Sequence, residues 1–290
     1  MTVRPKTVMR FYGNLEYAIQ SIAFKEITFL HSDKLNDPFD PYFYFITDFN
    51  ENYSTLIDFV QQRHAKDLQY FEDRLPQSNW DKFIKLIEGH FKLFLKGSYL
   101  FSTCAISKDC HPKDNLYMWS HYGNGHRGVA IEFDTTLLSK AVLDKQKRLG
   151  NKVINIDEVW TKVNYTTEVP KITCEAIFQF IMNDLEIPDK NAWEGTELSR
   201  ILSQIVRSKS IEWKIENEWR LMWQNDETKV KVQRVNLYDE SVAAIYLGCL
   251  IDNNAKDNLI SEAKQNFPIA KIFGGKKVKG EFALEFEQLA

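Results

Sequence analysis

The chain has 290 residues, 44% hydrophobic and 27% charged, with a formal net charge of −3. That balance excludes a disordered chain and a global basic field for nucleic acid, while leaving room for a local basic patch. The 20 Phe, 12 Tyr and 7 Trp supply a sizeable core, and 12 Gly with 8 Pro are too few for low-complexity linkers. No run approaches the ~20 apolar residues of a membrane span. No apolar stretch follows Met1–Lys6, so a cytoplasmic protein without signal peptide or membrane partner is expected. Cys104, Cys110, Cys174 and Cys249 are scattered, as in reduced cytosolic proteins, and the gap before Cys110 is not a zinc spacing.

Thr7 to Tyr12 reads as a strand. Asn14 is placed to cap a helix from Leu15, with Leu15, Ala18, Ile19 and Ile22 on one face. Glu26 to His31 returns as a strand, and Arg10 has Glu26 as a candidate cross-strand partner. Asn36-Asp37-Pro38 marks a polar corner, since proline pushes the residue before it out of helical space. A strand follows at Tyr42 to Ile46.

Apolar residues recur at helical spacing from 51 to 96, in two helices separated by Pro76. Tyr99 to Ala105 reads as a buried strand, and 115–122 as a short helix that packs Met118, Trp119 and Tyr122 inward. Val129 to Asp134 is a strand, 137–149 a helix, and Val159 to Tyr165 a strand. Residues 172–186 and 196–209 are amphipathic and helical, joined around Pro188.

Glu216-Asn217-Glu218-Trp219-Arg220-Leu221-Met222-Trp223 is the most informative stretch. As one strand it places Glu216, Glu218 and Arg220 on one face and Trp219, Leu221 and Trp223 on the other. Paired carboxylates suit a site that handles a sugar hydroxyl and a proton; the plainer reading is a half-buried strand with a charged solvent face. Val230 to Val235 is placed to pair with it as a hairpin across Asn225-Asp226. Val242 to Leu247 is a strand, Ala255 to Asn266 a helix, and Ile269 to Phe273 and Phe282 to Phe286 are closing strands. The pattern predicts a single α+β domain over 1–290, with a mixed or antiparallel β core and helical insertions at about 50–97 and 170–210.

Four blocks occur in order: Asn36-Asp37-Pro38-Phe39-Asp40, Met118-Trp119-Ser120-His121-Tyr122, Arg127-Gly128-Val129-Ala130-Ile131-Glu132-Phe133 and Glu216-Asn217-Glu218-Trp219-Arg220. Together they resemble the bacterial family catalogued as domain of unknown function 2971, from about Val8 to Phe286. That family name carries no activity. A second resemblance is to the ADP-ribosyltransferase fold. It rests on the strand around Arg10, on Phe101-Ser102-Thr103-Cys104, which stands where that fold's arginine-type branch has Ser-Thr-Ser, and on Glu216-x-Glu218.

The second resemblance implies NAD as substrate, with transfer of ADP-ribose to a protein or nucleic acid, or hydrolysis of NAD. A toxin or phage-defence effector would follow from the same likeness. Glu218 would stabilise the oxocarbenium-like state of the ribose and Glu216 would serve the acceptor. Arg10 would bind a phosphate or the ribose, Ser102 would hold Glu218, and Trp119 or Tyr122 would stack on the cationic nicotinamide. Each residue also has a plainer role: Trp119 and Tyr122 in the core, His121 and His126 as hydrogen-bonded structural residues, Asn36 and Asp37 in a turn. The other function classes are a non-catalytic protein- or nucleic-acid-binding module and a metal-dependent nuclease built on Asp37, Asp40 and Glu132.

Overall fold

The computed structural model describes residues 3–35, 37, 40, 53–106, 111–149, 159–182, 197–224 and 232–290. The expected strand at 42–46, Asn36, the loop around Pro188 and the turn at Asn225-Asp226 lie outside these residues. The chain divides into two compact units, one of residues 1–31, 99–163 and 214–290, the other of 32–98 and 164–213.

The first unit is built on a ten-stranded mixed sheet. Its strands are β1 (Thr7–Tyr12), β2 (Glu26–His31), β3 (Ser98–Ala105), β4 (Val129–Asp134) and β5 (Trp160–Lys162). They continue, past two short strands of the other unit (β6, Asn164–Thr166; β7, Ser208–Ser210), with β8 (Glu218–Gln224), β9 (Val232–Asn236), β10 (Val242–Leu247), β11 (Lys271–Lys277) and β12 (Leu284–Gln288). The order is β12-β11-β10-β4-β1-β3-β2-β9, with β8 pairing β3 and β5. Only β10 and β11 among the registered neighbours of this sheet run parallel. The fold is therefore α+β with a mixed, mainly antiparallel sheet.

Alternation along β1 defines the two faces. Val8 enters the larger core and Met9 the smaller one on the other side. The larger core gathers Ile27, Phe29, Phe101, Ile131, Phe133, Trp219, Leu221 and Trp223. Three helices supply its other wall: α1 (Leu15–Ala23) with Ala18 and Ile22, α6 (Thr135–Arg148) with Leu138 and Val142, and α9 (Asn253–Asn266) with Leu259 and Ala263. Each buried side chain of the Phe or Leu class contributes ~1.5–3 kcal/mol. The helix starts are capped as the physics requires: Asn14 accepts from the Glu16 amide, Asp134 from Thr136 and Leu137, and Asp252 from Asn254 and Ala255.

Two expected pairings differ. Residues 232–236 pair with β2 rather than forming a hairpin with the Glu-rich strand. Strand β1 lies between β3 and β4, so Glu26 is not beside Arg10 but forms an ion pair with Arg234 of β9 at 3.4 Å. The expected strand 159–165 is two pieces: β5 joins β8, whereas β6 joins β7 in parallel.

The second unit holds α2 (Tyr53–Arg63), α3 (Leu68–Arg74), α4 (Trp80–Lys96), α7 (Cys174–Met182) and α8 (Glu197–Arg207). The stretch 51–96 thus forms three α-helices rather than two, with Pro76 between the second and third. Both expected insertions supply one core, with Leu56, Val60, Phe71 and Ile87 packed among Ile177, Ile181, Ile201 and Ile205. Polar groups pin it: Tyr53 donates to the Leu75 carbonyl, Arg74 to the Ile181 carbonyl, and His64 stacks on Phe178 while meeting Glu175.

Candidate functional site

Strand β8 buries Trp219, Leu221 and Trp223 in the larger core, which leaves Glu218 and Arg220 on the opposite face. These two are nonetheless buried, at 3% and 0% exposure. Arg220 grips the Glu218 carboxylate through Nε at 2.8 Å and Nη2 at 3.2 Å. The forked geometry of guanidinium matches the carboxylate and offsets part of the desolvation of both charges. The neighbouring strand is tied in through Thr103, whose hydroxyl donates to the Trp219 carbonyl at 2.8 Å.

Glu216 is not on this strand. It ends a 3-10 helix, Ile211–Glu216, and Asn217 between the carboxylates has a left-handed φ of 45°. Asparagine tolerates that conformation better than other side chains. The Asn217 carbonyl accepts from the Ala105 amide at 3.0 Å, and its own amide donates to Lys214. The expected common face of Glu216, Glu218 and Arg220 therefore holds only for the last two, because the turn at Asn217 breaks the period of two. Glu216 is still buried, at 5% exposure, and accepts a hydrogen bond from the Tyr122 hydroxyl.

Tyr122 closes α5 (Leu116–His121), its amide donating to the Met118 carbonyl at 2.8 Å. Asn115 caps the start of α5 by accepting from the Met118 amide, and its side-chain amide donates to the Ile215 carbonyl at 3.4 Å. One residue thus fixes both the helix that carries Tyr122 and the segment that carries Glu216. After Tyr122 the chain turns through three left-handed residues, Asn124, Gly125 and His126. Gly128 then passes so close to β1 that a Cβ would lie 2.3 Å from the Tyr12 carbonyl oxygen.

The other expected site residues fall elsewhere. Trp119 is fully buried in the smaller core, edge-on to Phe11 at 5.1 Å and stacked on Phe286, and its indole N–H donates to the Lys113 carbonyl. It has no open face for a nicotinamide. Arg10 shares the face of Val8 and Trp219, opposite Glu218. Its guanidinium donates to the Ser102 carbonyl at 2.8 Å and covers the Phe101 ring at 4.6 Å. Burial pushes the neighbouring Tyr12 phenol up, against the pull of the Arg10 charge. Ser102 does not hold Glu218: its hydroxyl oxygen is buried with no hydrogen-bond partner among the described residues. Arg220, which the period of two placed on the face of Glu218 without giving it a role, contacts that carboxylate directly.

Asp40 pairs with Lys209 at 3.6 Å, and Glu132 accepts from Tyr246. Among the described residues no group of three His, Cys, Asp or Glu side chains could hold a metal ion. No described helix is long and apolar enough to cross a membrane.

A family model described as protein of unknown function (DUF2971) matches residues 118–221. The DUF2971 match encloses Trp119, Tyr122, Glu216, Glu218 and Arg220, and leaves Arg10 and Ser102 outside. Neither a curated protein nor a solved structure matches the chain.

Proposed function

We propose that the chain is an NAD-consuming enzyme of the ADP-ribosyltransferase type, with Glu218 and Glu216 as its two carboxylates. One observation carries the reading: two buried carboxylates within three residues, each held by a different donor, Arg220 for Glu218 and Tyr122 for Glu216. A preorganised carboxylate in a water-poor setting stabilises the positive charge that develops on ribose as the nicotinamide bond breaks. Glu216, on its separate segment, serves the acceptor: a water for NAD hydrolysis, or a protein or nucleic-acid group for transfer. Depletion of NAD or modification of a macromolecule would suit a toxin or phage-defence effector. Arg10, across the sheet from Glu218, takes no part in this scheme, and Trp119 supports α5 from within the core.

The test is nicotinamide release from NAD by the parent, Glu218→Gln and Glu216→Gln, with and without protein and nucleic-acid acceptors. The parent releases nicotinamide, and Glu218→Gln lowers turnover by about 100-fold or more. Glu216→Gln weakens transfer more than hydrolysis. A folded parent that neither binds NAD in a thermal-shift titration nor releases nicotinamide would leave the non-catalytic binding module as the reading. A ligand at 100 times its dissociation constant adds ~2.7 kcal/mol of stability, so binding is visible without turnover.

A further inference from the structure

The sheet face that carries Glu218 bears a second polar group that this function does not use. The Tyr246 hydroxyl on β10 donates to Oε2 of Glu132 on β4 at 3.1 Å. His111 Nε2 stands 4.0 Å from the same oxygen. His111 Nδ1 accepts from the Lys113 amide at 3.2 Å, so the neutral ring keeps its proton on Nε2, the atom nearer Glu132. Burial and the Lys113 charge hold this imidazole below its usual range, against the opposing pull of Glu132 and Asp114. The ring is therefore uncharged at neutral pH.

Among the described residues, Glu132 has no lysine or arginine partner. Lys113 is engaged with Asp114 at 2.5 Å. Its side chain is only 14% exposed, and a poorly hydrated carboxylate with a phenol and a neutral imidazole for company is incompletely compensated. Tyr246, which bonds it, is set among aromatic rings. Phe273 stacks on Tyr246 at 5.0 Å, and Phe286 meets Tyr246 edge-on at 5.5 Å. The Lys113 ammonium lies 5.6 Å from the Phe286 ring centre, so one of these rings already meets an alkylammonium within the fold.

We propose that Glu132, with His111 and the rings of Tyr246, Phe273 and Phe286, forms a binding site for an organic ammonium group. The ammonium supplies the charge that Glu132 lacks, and its carbon substituents lie on the rings. The His111 side chain is 24% exposed, so the group reaches solvent on that side. Protonation of His111 would supply the same positive charge from within, so ammonium binding and His111 protonation compete. Lys113 opposes both, and Asp114 favours both.

The probe is methylammonium chloride, titrated against sodium chloride at equal ionic strength and followed by the His111 and Tyr246 ring resonances in NMR. The parent gives a saturable shift with methylammonium and not with sodium, weaker at pH 5.5 than at pH 7.5. Glu132→Gln abolishes it. Phe286→Leu, which leaves the carboxylate in place, weakens binding roughly threefold. Equal responses to sodium, no saturation in the parent, or full binding by a folded Glu132→Gln protein overturns the proposal. Should Glu132→Gln fail to fold, unchanged affinity in Phe286→Leu overturns it instead.

Discussion

Arg10 and Glu218 stand on opposite faces of one sheet. Val8 and Trp219 enter the same core, and alternation puts Arg10 with the first and Glu218 against the second. The guanidinium bonds the Ser102 carbonyl beyond Met9 and Cys104, the last registered pair of β1 with β3. Arg10→Met should therefore cost about 0.5–1.5 kcal/mol in urea unfolding, the net worth of such a bond. Nicotinamide release by Arg10→Met should match that of the parent; a loss of turnover without a loss of stability would return Arg10 to the site.

Glu218 and Arg220 make a second prediction, about stability. Removing one partner of a buried ion pair leaves the other charge uncompensated, at a cost of about 3–5 kcal/mol. Arg220→Met should show this in chemical denaturation. The double variant Glu218→Leu/Arg220→Met should recover much of it, since an apolar pair of similar volume is often neutral or stabilising. Additive losses in the double variant would show that the two side chains do not act as a pair.

Asn217 offers a backbone test. Its φ of 45° suits asparagine and glycine and opposes β-branched residues. Asn217→Gly should keep the fold with little change. Asn217→Val should lose on the order of 1–2 kcal/mol, the left-handed penalty for an ordinary side chain. Equal melting temperatures for the two variants would contradict the turn.

Stability should also fall in mild acid. The folded state holds the imidazoles of His111 and His126 below the ordinary value of 6.5, the first by burial and Lys113, the second by burial and Lys277. The unfolded chain then takes up protons first as pH drops. This contribution is complete above pH 6.5 and is lost as pH falls towards the folded values. Denaturation midpoints at pH 7.5 and 5.5 should differ in that sense, and His111→Gln should narrow the difference.

Much of the local structure was legible. Asn14 announced α1, the 3.6-residue pattern announced α4 and α9, and alternation announced the faces of β8. Pairing was less legible, because which strand lies beside which depends on contacts distant in sequence. Nothing local distinguishes Val232–Asn236 as a partner of β2 from the same strand as a partner of β8. The site shows the same division. Glu216 and Glu218 were visible as residues, but one left-handed asparagine between them removed the common face. Trp119 carried the aromatic ring that a nicotinamide would need, yet its neighbours Phe11 and Phe286 occupy its surroundings.

The turn at Asn217 also divides custody of the two carboxylates. Glu218 is held within the sheet by Arg220 on its own strand, and Thr103 of the neighbouring strand bonds the carbonyl of the next residue, Trp219. Glu216 is held from a helix, through Tyr122, while Asn115 tethers the adjoining carbonyl of Ile215. A straight strand would have locked their separation to the pleat repeat. With the turn at Asn217 between them, their separation follows from how α5 and the 3-10 segment are tied together, and not from the pleat of β8. Part of that tie is an asparagine side chain 100 residues away from the carbonyl it bonds.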